Sequence, residues 1–285
     1  MAPRQRRPPA RPPEPGPPAQ PNGPSLVELE RFSHASLKQW LRAGENLGRL
    51  QGALYFGLES ARQEQGDALV DALRAGAQAD LEFKAWSRIV DVRFSLRPLS
   101  VAGSLKREGG RFNIGRRLNP ASFTPFPALY LGEDYGTAYQ EKFGQAEDSG
   151  RFGLSGHELA LRTPTSFAHF RVHGRLELVL DLGKADALAP FVGLIKTFTL
   201  PRTVGALARK LGLRHPPGLI RTVAGLQRQL LNGNWRVLPM HYDLPANPQV
   251  FGRMAAAAGL HGILYPSARA SGKRCLALFP QNWAG

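Results

Sequence analysis

Two kinds of apolar spacing divide the chain. Over the first few turns after residue 24, apolar side chains recur at helical intervals. Leu26, Leu29, Phe32, Leu37 and Leu41 give one stripe, which predicts a helix from about Ser25 to Leu50. Ser25 stands as its N-cap, with Glu28 three residues on. Ala61, Ala68, Leu69, Ala72 and Leu73 form a second stripe, predicting a helix from about Leu58 to Ala77. After Phe83 the texture changes to short β-like runs: Ile89–Leu96, Ala128–Leu131, His157–Leu161, Leu176–Leu182, Gly262–Tyr265 and Cys275–Phe279. Glycine-rich loops and a few helices separate them. Two of these helices are predicted at about Thr203–Leu213 and Gly218–Leu231, divided by His215-Pro216-Pro217, with Ile220, Val223, Leu226 and Leu230 on one face of the second. The mixture predicts an α+β fold rather than a regular parallel βαβ array.

Residues 1–24 break this pattern. They are mostly Pro, Arg, Ala and Gly, cannot bury enough apolar surface to fold, and read as a disordered tail. The expected organisation is therefore a tail (1–24), an N-terminal helical extension (25–83) and a catalytic α+β domain (84–285). Within that domain, 191–238 forms a basic helical insert. No internal repeat is evident.

Charge and cysteine content narrow the setting. The formal net charge is +15, from 37 basic and 22 acidic residues. Such a balance favours polyanions, acidic proteins or phosphorylated small molecules without choosing among them. Arg4, Arg6, Arg7 and Arg11 against Glu14 place little of it in the tail, whereas 191–238 holds eight basic residues and no acid. A single cysteine, Cys275, excludes an internal disulfide and a four-cysteine zinc site. His169 and His173 have i, i+4 spacing but no acidic partner between them, and read as solvent-facing residues on a strand or turn. No apolar run follows the basic N-terminus as in a signal peptide, and none approaches a membrane span. A soluble, cytoplasmic protein is expected.

Three segments carry candidate chemistry. Residues 109–115, GGRFNIG, pair glycines that permit close backbone approach with Arg111, whose planar fork suits phosphate, and Asn113, which both donates and accepts hydrogen bonds. Residues 128–144, ALYLGEDYGTAYQEKFG, read as a strand ending near Tyr130, then a helix that carries Glu141 about two turns in. Residues 262–269, GILYPSAR, place Ser267 in a turn after an apolar strand and outside any G-x-S-x-G elbow. Each alone is compatible with ordinary structure.

In order, however, they form a specific series: Arg93-Phe94 on an upstream strand, the GGRFN loop, the LYL strand, a glutamate eleven residues after Tyr130, and the YPSAR turn. This series, over roughly residues 88–280, resembles the RES domain, named for an arginine, a glutamate and a serine. Phe112 stands where the family loop usually has tryptophan, which keeps an aromatic wall. The resemblance implies a mono-ADP-ribosyltransferase-like fold that uses NAD as substrate and needs no metal. It assigns Arg93, Tyr130, Glu141 and Ser267 to catalysis, and Gly110, Arg111, Asn113 and Tyr265 to binding. A carboxylate such as Glu141 would stabilise oxocarbenium character as the nicotinamide–ribose bond breaks. Arg93 or Arg111 would clamp the bridging phosphates, and Tyr130 would stack on nicotinamide. The acceptor is left open among water, phosphate and a macromolecule. The resemblance further implies a toxin paired with an antitoxin that carries a helix-turn-helix domain. A competing class is a nucleic-acid-binding protein, in which LARKLGL and GLIRTVAGLQRQL would mimic a helix-turn-helix. A third is a RES fold that serves as an inactive scaffold.

Overall fold

The computed structural model describes residues 34–144, 166–213 and 217–283. The expected tail, the Ser25 cap, the His157–Leu161 strand and the His215-Pro216 part of the spacer lie outside the described residues. Chain contacts form two compact units, Met1–Gly44 and Glu45–Gly285. The described part of the first is the start of helix α1 (His34–Gly57), whose remainder lies in the second. The second predicted helix is divided into α2 (Glu59–Glu64) and α3 (Gly66–Ala75), with the break at Gln65. Leu69, Ala72 and Leu73, taken as one apolar stripe from the sequence, are the buried face of α3.

Five strands close into a barrel in the order β1 (Gln78–Asp91), β2 (Leu129–Gly132), β5 (Arg274–Leu278), β4 (Gly262–Pro266) and β3 (Phe167–Asp181). All neighbours are antiparallel except β3 and β4. β1 begins before the expected boundary at residues 83 and 84, so that boundary falls inside a strand. It also ends before Val92, and Val92–Phe94 form a 3₁₀ turn instead of continuing the predicted Ile89–Leu96 strand. A bulge between Phe83 and Trp86 interrupts the long β1–β3 ladder.

Period-two alternation sorts the strand side chains into two cores. Leu129, Leu131, Leu176, Leu264, Leu276 and Leu278 pack with Phe83 and Trp86 in one cluster. Their neighbours Ile263, Tyr265, Cys275 and Ala277 face a larger one, built with the helices. Helices α5 (Ala185–Ile195), α6 (Arg202–Lys210), α7 (Val223–Leu230), α8 (Val237–His241) and α9 (Asn247–Ala257) complete the described helical layer around the barrel, together with α4 (Tyr135–Phe143), which follows β2. The basic segment 191–238 is part of this layer: Phe191, Val192, Phe198, Leu226 and Leu230 are members of the main core. α7 starts at Val223, later than predicted, because Thr222 caps it by accepting from Gly225 N–H. Residues 211–222 separate α6 from α7, far more than the short turn of a helix-turn-helix, so the expected mimicry is not formed. No helix among the described residues is long and apolar enough to cross a membrane.

The feature that positions the site is the seam between β1 and β2. These strands share a single registered pair, Ser87 with Gly132, whereas β2 and β5 pair along the whole of β2. The barrel is closed there but barely laced. Leu276 is fully buried at the centre of the inner cluster. Leu276→Ala is expected to lower stability by about 2–5 kcal/mol, since neighbouring strands cannot collapse into the void. Chemical denaturation would measure it, and a loss below about 1 kcal/mol would show that the barrel interior is not a close-packed core.

Candidate functional site

At the β1–β2 seam lies a cleft of about 490 Å³, within the range of small-molecule sites. Its walls come from β1 (Ser87–Asp91), the glycine loop (Gly109–Arg111), β2 (Tyr130–Gly132), α4 (Ala138, Glu141, Lys142), the segment before α8 (Gly233, Trp235, Arg236), β4 (Tyr265), the β4–β5 turn (Ala268, Arg269) and β5 (Cys275), among others. Of the residues read from the sequence, Gly110, Arg111, Tyr130, Glu141 and Tyr265 line it directly. Asn113 and Ser267 stand behind the lining and hold it in shape.

The glycine loop is held by two buried amides. Asn113 is fully buried, and its side chain is saturated. Its Nδ2 donates to the carbonyls of Ser104 and Phe126 at 2.8 and 3.0 Å, and its Oδ1 accepts from Gly110 N–H and the Tyr130 hydroxyl, both at 2.9 Å. The Tyr130 hydroxyl also accepts from Phe112 N–H at 2.9 Å. The second amide is Gln249 on α9, also fully buried. Its Nε2 is shared among the carbonyls of Glu108, Asn113 and Gly110 at 2.8, 3.0 and 3.2 Å, and its Oε1 accepts from Ala246 N–H. Gly109 has φ +94°, a left-handed conformation that disfavours any side chain. A Cβ on Gly110 would meet the Tyr130 hydroxyl at 2.5 Å. Both glycines are therefore required by geometry, which the sequence alone left open.

Tyr130 consequently does more than offer a stacking surface. Burial raises its pKa well above that of a free phenol, against smaller lowering from Phe112 N–H and nearby Arg111 and Arg236. It stays a neutral tether between β2 and the loop. Tyr265 is likewise raised by burial, then by the neighbouring Cys275 and Glu141, and its ring meets Phe112 edge to face at 4.9 Å. Burial pushes the Cys275 thiol up to about 12, so it is a packed core residue rather than a thiolate nucleophile.

Glu141 is brought to the cleft by α4, and the start of that helix is well specified. Asp134 is its N-cap, accepting from Thr137 N–H at 2.8 Å and from the Thr137 hydroxyl at 2.7 Å. Gly144, at φ +83°, ends it. Glu141 Oε1 accepts from Ser267 Oγ at 2.6 Å and from Ala268 N–H at 3.1 Å. Ser267 Oγ in turn accepts from Arg269 N–H and Ala270 N–H at 3.2 and 2.9 Å. The serine is thus oriented by its own turn so that its proton points at the glutamate. Glu141 Oε2 accepts from none of the described residues. Glutamate and serine, 126 residues apart in sequence, meet in the structure.

Arg93 does not join them. The sequence reading placed it on a strand and toward bound phosphate. It instead lies in the 3₁₀ turn after β1, exposed, with Nη2 3.0 Å from Asp91 Oδ2, and it is not part of the cleft lining. β1 ends at Asp91, and in the turn that follows it is Phe94 rather than Arg93 that lines the cleft. The β1 arginine inside the cleft wall is Arg88. Its Nε, Nη1 and Nη2 donate to the carbonyls of Pro98, Tyr130 and Ser100 at 2.6, 3.1 and 2.9 Å, tying β1 to β2 across the seam. Burial lowers its pKa to about 10, and it remains a cation at neutral pH. The run SRIVDVRF contains both arginines, but its spacing gives no sign of where the strand stops. Arg236, Arg269, Lys142 and Gln249 were also missed. Arg269 stood within the YPSAR motif, Lys142 beside Glu141 on its helix and Arg236 in the basic segment without a role being given to any of them, and nothing local pointed to Gln249. The solvent-facing reading of His169 and His173 matches their exposure on β3, where they contact Ser87 Oγ and Ala85 N–H.

The RES domain family model matches residues 85–285. The chain belongs to the RES domain family. A search of curated proteins finds no match. Among solved structures, the RES chain is similar to one in the crystal structure of the M. tuberculosis MbcT–MbcA toxin–antitoxin complex. Identity is 17 %, with 76 % of this chain and 85 % of that one covered, at a TM-score of 0.41.

Two expected outcomes test how the RES site is built. Gln249→Ala strips three loop carbonyls and one N–H of their partner, and should cost on the order of 2–4 kcal/mol in denaturant unfolding. A near-neutral variant would mean that the loop does not depend on α9. The second concerns Asp134. Burial alone would raise its pKa, but Lys273 and the Thr137 N–H and hydroxyl outweigh it and hold the carboxyl at about 2. A depressed carboxylate stabilises the fold at pH values above its unfolded pKa, and that contribution is lost as pH falls toward 2. Asp134→Ala should therefore cost about 0.5–2 kcal/mol at neutral pH. The gap from the parent protein should close in acid, as thermal unfolding across pH would show. A gap independent of pH would remove the charge from the cap.

Proposed function

We propose that this protein is an NAD-consuming enzyme that cleaves the bond between nicotinamide and ribose, and that it acts as the toxin of a toxin–antitoxin pair. The observation that carries this reading is the presentation of Glu141. Its carboxylate reaches a cleft whose lining includes four arginines and several aromatic rings, with one oxygen held by Ser267 and Ala268 and the other open to the described residues. When the C1′–N bond breaks, its electron pair leaves with nicotinamide, whose ring becomes neutral, and positive charge develops on the ribose. A fixed carboxylate beside that carbon stabilises the charge without reorganising. The acceptor then bonds to C1′; water or another hydroxyl passes its proton to Glu141, whereas phosphate attacks through an ionised oxygen and has none to lose. The acceptor's identity, whether water, phosphate or a macromolecule, decides between glycohydrolase, phosphorylase and ADP-ribosyltransferase.

In this reading Ser267 positions Glu141, and Tyr130 and Tyr265 supply the aromatic wall against which nicotinamide packs. Gly110 and Asn113 keep the glycine loop close to the ligand. Arg111, which lines the cleft where Arg93 does not, takes the phosphate role. A sparsely laced barrel with its cleft at the open seam suits a mono-ADP-ribosyltransferase-like fold. An antitoxin with a helix-turn-helix domain is the expected partner, and its approach to so basic a cleft would favour an acidic segment. The expected setting is the cytoplasm. The separation of α6 from α7, and the core position of Leu226 and Leu230, weigh against direct DNA reading by this chain.

Nicotinamide release from NAD, followed with and without phosphate, tests the proposal. Glu141→Gln keeps the bonds from Ser267 and Ala268 while removing the charge, and should reduce the rate by about 10²–10³-fold with unfolding unchanged. Release that persists in a well-folded Glu141→Gln protein would sink the assigned role.

A further inference from the structure

Three arginines converge on the cleft from three separate segments: Arg111 from the glycine loop, Arg236 from the segment before α8 and Arg269 from the β4–β5 turn. Neither Arg111 nor Arg269 pairs with a carboxylate among the described residues, and Arg236 is paired only loosely. Arg111 Nη1 donates to the carbonyls of Leu230 and Asn232, both at 3.0 Å, and its Nε and Nη2 find no acceptor among the described residues. Arg269 Nη1 donates to the carbonyl of Gln140 at 3.1 Å, in the last turn of α4. Arg236 lies with its guanidinium 4.5 Å from the centre of the Trp235 ring, and its nearest carboxylate, Glu108, is 3.9 Å away, beyond hydrogen-bond reach. Arg111 and Arg269 both repel Arg236 strongly enough to help lower its pKa, after desolvation and against Glu108. Like charges held this close in a partly desolvated cleft cost free energy unless something relieves them. Backbone carbonyls fix the direction of Arg111 and Arg269 without cancelling their charge, and the Trp235 ring supports Arg236.

We infer that Arg111, Arg236 and Arg269 form a diphosphate clamp in which Arg236, outside every family motif position, and Arg269, the arginine that ends the YPSAR turn and to which no role was assigned, are the residues that select a diphosphate-bearing ligand. Resting on the NAD reading, this names the part of that ligand the site recognises. Guanidinium forks match phosphate oxygens bidentately, and a dianion bridging them would turn mutual repulsion into attraction. The basic segment 191–238 then has a specific task. It carries one jaw of the clamp on Arg236, braced by the buried Trp235, while Leu230, at the end of α7, and Asn232 aim Arg111.

The test uses the full chain and isothermal calorimetry with inorganic pyrophosphate, alongside NAD consumption. Arg236→Gln and Arg269→Gln should each weaken pyrophosphate binding by about tenfold or more, as expected for losing charge-assisted hydrogen bonds. Arg236→Lys, which keeps the charge but not the fork, should lose less. Because Glu108 is buried beside Arg236, the Glu108→Gln/Arg236→Gln double variant guards against misfolding. It should match the unfolding temperature of the parent while still binding pyrophosphate poorly. Should the parent bind pyrophosphate and the folded glutamine variants bind it equally well, the clamp is wrong, whatever happens to NAD. Should the variants lose pyrophosphate in a parent that neither binds nor consumes NAD, the clamp stands and the NAD reading falls. Binding of a single-stranded oligonucleotide with no binding of pyrophosphate would also overturn it, because the arginines would then read an extended backbone rather than a diphosphate.

Discussion

The glycine loop is closed by hydrogen bonds from two buried amides, and the site depends on that closure. Asn113 and Gln249 together satisfy backbone groups of Ser104, Glu108, Gly110, Asn113, Phe126 and Ala246. A loop with two adjacent glycines would otherwise sample many conformations and leave buried polar groups unpaired, each a substantial penalty. The network also reaches β2 through Tyr130 and α9 through Gln249, so barrel, loop and helical layer are fastened at one place. Arg111 can aim into the cleft because the residues on both sides of it are fixed.

The weak β1–β2 seam gives that fastening its purpose. A barrel sealed by a full ladder would present no cleft. Here one registered pair holds the strands together, and Arg88 supplies three further bonds, to the Pro98–Ser100 loop and to β2. The opening is filled from the other side by α4, whose Asp134 cap and Gly144 terminus set where Glu141 emerges. A carboxylate set near arginines of which two, Arg111 and Arg269, are held by backbone carbonyls is an arrangement suited to binding an anion and stabilising a nearby cationic centre. Both demands arise when a phosphorylated glycoside loses its leaving group.

Much of this was legible in the chain because the information was local. The alternation Leu-Tyr-Leu and the run Cys-Leu-Ala-Leu announce strands with one face in each core, and a glutamate eleven residues beyond Tyr130 falls on the following helix. Thr222 and Gly144 show where local reading is coarser. Each marks a helix end through a cap, yet the predicted start of α7 was displaced because Gly218–Arg221 share its apolar spacing without forming it. Arg93 shows where such reading fails. Nothing in SRIVDVRF distinguishes a strand that runs through the arginine from one that stops at Asp91, since both satisfy the same β-branched pattern.

The sequence by itself determined the α+β class, the membership signalled by GGRFN, Glu141 and YPSAR, and which residue types the chemistry would need. These depend on spacing along the chain, which short-range sterics and period convert directly into local structure. Tertiary structure alone decided that Ser267 donates to Glu141, that Arg88 rather than Arg93 belongs to the cleft wall, and that Gln249 holds a loop well over a hundred residues away. It also brought Arg236 out of a basic stretch to face Arg111 and Arg269. Such pairings are set by how strands register and helices pack, and those contacts carry no signature in the neighbouring residues.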